Sequence, residues 1–297
     1  MTLYRPIILL IVVFLAGCAL QPPTEKAMPT VLDTRSGRWM TPAELPKPMA
    51  KADYVVIGEM HQNLRMQEAL INLLDTLKHN QALDVLVLDI LKPHLQSSAN
   101  SYLEQLESLP PALADRYRPL VRWAEDNDVI LVGGSTPREK LTSLKSPEGQ
   151  QWLKQQTQNV LSEQQLQTLN DTMKEAHPDS TQTDYMVSAQ QLIDYFMART
   201  LAVGKHQSVL ITRAFHARKD LGVQPYLHKL KPDARIISVL MLGTSGDENV
   251  SPEVLESARQ HYDFVWLQQA EPRLLIAPKP EELSGLNQKT DNNIQKK

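Results

Sequence analysis

The sequence predicts an α/β fold: a mostly parallel central sheet flanked by helices, with a helical insertion. Three observations predict it. Short β-branched runs recur along the chain and are apolar at successive positions, as strands buried on both faces are. Longer segments of helical period separate them. Cys18 is the only cysteine, so the 297-residue chain must be held by an extensive core rather than by disulfides.

The expected strands are Tyr54–Gly58, Val85–Ile90, Val129–Val132, Ser208–Thr212, Arg235–Leu242 and Phe264–Leu267. Between the first two, Met66, Leu70, Leu73, Leu74 and Leu77 form the apolar stripe of a helix over Met66–His79. Pro110–Asn127 reads as a second helix, broken or kinked at Pro119 because proline lacks the N–H its turn would use. The Gln-, Lys- and Glu-rich stretch from Pro147 to His177 is longer than a crossover needs. It reads as two amphipathic helices within an insertion at about 145–185: a lid, a subdomain or a dimer surface. From Ser188 a further helix turns Leu192, Ile193, Phe196, Met197 and Leu201 inward. The polar, lysine-rich tail at 279–297 has the composition of disorder.

The N-terminus reads as an address. Arg5, the apolar run Ile7–Leu15 and Leu15-Ala16-Gly17-Cys18 have the layout of a secretory signal over residues 1–17. Leu-Ala-Gly-Cys resembles the bacterial lipobox, which implies lipidation of Cys18. Ala19 rather than aspartate after it implies sorting to the outer membrane. Residues 18–50 then read as a tether and lead-in, and 51–278 as the main domain. A net charge of −3 with scattered basic residues argues against a nucleic-acid partner and leaves lipid as the means of membrane attachment.

Ligands of open parallel sheets bind beyond the carboxyl ends of the strands. The residues that follow the expected strands are Glu59 and His61, Asp89, Ser135 to Arg138, and His216 with Arg218. Each also has a plain structural reading: a helix-capping Glu59, a His61 bonded to a buried carbonyl, an Asp89–Arg138 ion pair, and a polar loop at His216.

Read in order, these positions resemble the ChaN-like family of haem-binding, iron-uptake lipoproteins, related to the Tiki and erythromycin-esterase group. Gly58-Glu59-Met60-His61 resembles its Gly-Glu-x-His, and Leu88-Asp89-Ile90-Leu91 its Leu-Glu-Met-Phe. Tyr117, Pro119, Ala124 and Asn127 follow the family's spacing, and Ser135-Thr136-Pro137-Arg138 stands for Asn-Ala-Pro-Arg. Ala189-Gln190, Asp194 and Met197-Ala198 match one of its helices, and His216 to Pro225 its Gly-His…Gly-Val-Pro segment. Two departures stand out. Arg65-Met66-Gln67 replaces a region often rich in histidine, and Arg213-Ala214-Phe215-His216 replaces Gly-x-Gly-His.

The resemblance implies an outer-membrane lipoprotein that holds haem, with a homodimer sharing it and an outer-membrane haem receptor as a possible partner. A tyrosine is the implied axial ligand, for which Tyr185 and Tyr195 are the candidates. Met66 is a soft donor better explained as core. Arg138, Arg218, Lys219, His177 and His216 supply cations or N–H donors for the haem propionates, with His61 also at the pocket. The alternative is a metal-dependent hydrolase, in which Glu59, His61, His216 and Asp89 bind zinc or another divalent ion and Glu59 acts as base. A ligand-free structural lipoprotein is the third class.

Overall fold

The computed structural model describes residues 30–60, 64–93, 99–204, 207–244 and 250–269. The signal segment, Cys18, His61 and the polar tail lie outside them.

Two short strands, β1 (Val31–Asp33) and β2 (Trp39–Met40), form a hairpin, followed by a helical turn α1 (Pro46–Met49). Then come β3 (Tyr54–Met60), α2 (Leu64–His79), β4 (Val85–Leu88), α3 (Ala99–Glu107), α4 (Pro111–Asp126) and β5 (Ile130–Gly133). Four helices follow: α5 (Arg138–Ser143), α6 (Pro147–Thr157), α7 (Glu163–Ala176) and α8 (Thr183–Val203). The chain closes with β6 (Ser208–Arg213), α9 (Val223–Leu230), β7 (Ile236–Thr244), α10 (Pro252–His261) and β8 (Phe264–Gln269).

Among the described residues the strands form one sheet in the order β2-β1-β8-β7-β3-β6-β4-β5. Neighbours from β8 to β5 pair parallel, while β1 pairs antiparallel with β8 and with β2. The expected mostly parallel α/β sheet is therefore what forms. The lead-in is more than a tether: β1, β2 and α1 belong to the fold, so the sheet starts ahead of residue 51. α4 runs unbroken through Pro119, where the sequence suggests a break or kink. Its inner side buries Tyr117, Leu120, Val121 and Ala124, and packing of that stripe outweighs one lost backbone bond.

The sheet separates two cores. On one face Val55, Ile57, Val209 and Ile211 meet the buried α2 stripe of Leu70, Leu73, Leu74 and Leu77, with α4 beside it. Each such side chain contributes about 1.5–3 kcal/mol of burial. On the other face Val56, Leu210 and Leu240 meet Met197, Ala198 and Leu201 of α8 and Tyr226 and Leu227 of α9. The insertion helices α6 and α7 pack on α8 through Leu153, Leu161 and Leu169.

Candidate binding site

Strand order decides where a site can form. β3 and β6 are hydrogen-bonded neighbours. The connection from β3 runs through α2 to β4 on one face, and that from β6 through α9 to β7 on the other, in the opposite direction along the sheet. The connections of neighbouring strands diverge on either side of this pair, at β7–β3 and at β6–β4, so the carboxyl ends of β3 and β6 lie between two topological switch points, the usual position of a ligand crevice.

Glu59 and Arg213 are register partners at that point and leave the sheet on the same face. Glu59 is buried, and its Oε2 accepts a hydrogen bond from the Tyr117 hydroxyl of α4 at 3.3 Å. Arg213, the last residue of β6, is exposed.

After Arg213 the chain makes a short 3-10 turn, Ala214–Ala217, that carries His216. This turn lies directly across β3. A Cβ on Gly58 would come within 2.7 Å of the Ala217 Cβ and 2.8 Å of the Ala214 Cα, so only glycine permits the approach. The Tyr262 hydroxyl bonds the Ala214 carbonyl at 2.9 Å, and the Ser238 hydroxyl bonds that of Ala217. Gly222 closes the turn from beneath, where a Cβ would stand 2.2 Å from the His216 carbonyl oxygen.

His216 is buried, and its Nδ1 lies 2.8 Å from Asp194 Oδ1 and 2.8 Å from the Gln190 amide nitrogen. That amide donates to Asp194 Oδ2 at 2.9 Å. Asp194 has no exposure at all. Burial pushes its carboxyl above the ordinary carboxylate range, outweighing the opposing pull of His216, Gln190 and Arg213. A proton on Nδ1 shared with Asp194 leaves Nε2 as the acceptor or ligating nitrogen. Asp89 follows β4, and its Oδ2 accepts the Thr212 hydroxyl at 2.6 Å; the same hydroxyl lies 3.6 Å from Met197 Sδ.

The remaining candidates are dispersed. Arg218 is engaged by Asp220, with contacts of 2.7 and 3.0 Å, and stacks over the Phe215 ring at 5.3 Å. Lys219 pairs with Asp263 at 3.1 Å. His177 is an exposed residue closing α7, and Arg138 is an exposed residue opening α5. Tyr195 is buried, its hydroxyl donating to Gln156 at 2.7 Å and its ring edge-on to Trp152 and Phe196. Tyr185 is half-buried and reaches the Leu141 carbonyl at 3.4 Å. Met66 is fully buried in the core. Among the described residues no group of three or more His, Cys, Asp or Glu could hold a metal ion. Glu59, Asp89 and His216 therefore do not assemble the zinc set of the hydrolase reading, whose fourth member, His61, lies outside the described residues.

Sequence reasoning placed Asp194, Gln190 and Tyr117 only as matches to a family pattern, and did not offer Arg213 as a site residue. A basic residue ending the strand before His216 is the available signal for Arg213. Nothing local reveals that Asp194, on a different element, binds that histidine.

Sheet topology and the buried polar groups at the strand ends define an α/β protein whose candidate site is at the carboxyl ends of its central strands. A family model described as haem-binding uptake, Tiki superfamily, ChaN matches residues 45–227, and the chain belongs to that family. Among solved structures it is similar to the ChaN of Campylobacter jejuni, described with cofacial haem binding. Identity there is 16%, with 79% of this chain and 94% of that one covered and a TM-score of 0.55. The type III effector HopBA1 matches at 14% identity, 77% and 94% coverage and a TM-score of 0.42. A Bacillus cereus protein matches at 11% identity, 72% and 74% coverage and a TM-score of 0.40. No curated protein sequence matches the chain significantly.

Proposed function

We propose that this chain is a lipid-anchored haem-binding protein of the bacterial outer membrane that serves haem or iron uptake. The family match over residues 45–227 carries the reading. Cys18 bears the lipid, a homodimer shares the haem, and an outer-membrane haem receptor is the partner.

Haem requires an apolar slot, an axial donor and cations for two propionates. Partly buried apolar side chains near the switch point, Met60, Val187, Ile193 and Phe215, are suited to the porphyrin face. Arg138 is exposed and suited to a propionate, whereas Arg218 and Lys219 are already paired. Tyr185 is the better axial candidate of the two tyrosines, because its hydroxyl has one long backbone contact while that of Tyr195 is committed to Gln156. A phenolate oxygen there suits ferric iron.

Titration of the lipid-free mature protein with haemin tests the reading. The expected result is a saturable, shifted Soret band with an increase in mass toward a dimer. Tyr185→Phe should change that spectrum, and Tyr195→Phe should lower stability while leaving it alone. A spectrum that stays that of free haemin at every ratio sinks the proposal.

A further inference from the structure

We propose that Arg213 anchors a carboxylate of the bound ligand at the switch point; on the haem-binding reading, on which this inference rests, that carboxylate is a propionate. Arg213 ends β6, between β3 and β4, where the crossovers diverge. It is exposed, and among the described residues its side chain makes no hydrogen bond or close ion pair, its charge reaching the buried Asp194 only at longer range. Its register neighbour Glu59 is buried and accepts the Tyr117 hydroxyl, so the charge presented outward from this pair of strand ends is the guanidinium. The other basic groups after this strand, Arg218 and Lys219, are held by Asp220 and Asp263. Two residues on, the partly buried Phe215 adds apolar surface to the turn that follows, under the Arg218 guanidinium. A guanidinium presents parallel N–H donors that match a carboxylate, and it stays charged at any physiological pH. An arginine at this place therefore selects ligands that pair an apolar body with an acidic arm.

The test compares haemin with haemin dimethyl ester, which keeps the ring and the iron but lacks the acids. Each is titrated into the mature protein and into its Arg213→Gln and Arg35→Gln variants. Arg35 is exposed in the β1–β2 hairpin and controls for net charge. The expected result is that Arg213→Gln weakens haemin binding about threefold to thirtyfold, leaves the diester unchanged, and is not mimicked by Arg35→Gln. Equal loss for both ligands, or no loss for haemin, overturns the anchor while the haem reading stands. Failure of the unaltered protein to bind either ligand overturns that reading and the anchor with it.

Discussion

Asp194 pays a visible cost for its place under His216. Its carboxyl titrates above the ordinary 3.8 because burial penalises the charged form, so its contribution to stability is full below that value and is lost as pH rises through the raised one. Asp220 runs the other way. Burial alone would raise it, but hydrogen bonds and charge from His261 and Arg218 hold it well below 3.8, so its contribution is present above that value and is lost as pH falls toward the depressed one. Urea midpoints measured from about pH 3 to 8 should therefore separate the two. Asp220→Asn should flatten the acid limb. Asp194→Asn, which still offers an oxygen to His216 Nδ1, should gain on the parent protein as pH rises. Parallel profiles for parent and variants would contradict both assignments. At this scale the sequence made Glu59, Asp89 and His216 legible, because each follows an apolar run. It hid the partners, since the bond to His216 comes from a helix 22 residues earlier.

The 3-10 turn that carries His216 depends on two glycines. Gly58→Ala forces the new methyl into Ala217 and the Ala214 backbone, and should cost about 1–3 kcal/mol in equilibrium urea unfolding. Gly222→Ala drives a methyl toward the His216 carbonyl and should cost a similar amount. Unchanged midpoints would mean that the turn does not lie tightly on β3. The inner strands were readable because both of their faces are buried, which leaves an uninterrupted apolar run. β1 and β2 were not, since three- and two-residue strands at a sheet edge carry no periodicity. Pro119 does not end the helix, for a related reason: local geometry disfavours it there, and only the tertiary packing of Tyr117, Leu120 and Val121 shows why α4 continues past it.

At the scale of the molecule, periodicity yields the elements but not their neighbours. That the carboxyl ends of β3 and β6 lie side by side follows from β6 entering the sheet between β3 and β4, an adjacency no local pattern contains. The placement also has rivals. A cleft of 760 Å³ opens at the amino ends of the strands, around Asp53, Asp84 and Gln207. An apolar groove of 530 Å³ runs between α2 and β8, beside Leu73 and Trp266. Amide hydrogen exchange with and without haemin discriminates among the three most directly. The account predicts slowed exchange at the end of β3, through Arg213 to Arg218, and along the first half of α8. Protection confined to the α2–β8 groove or to the amino-end cleft, with the switch point unchanged, would contradict it.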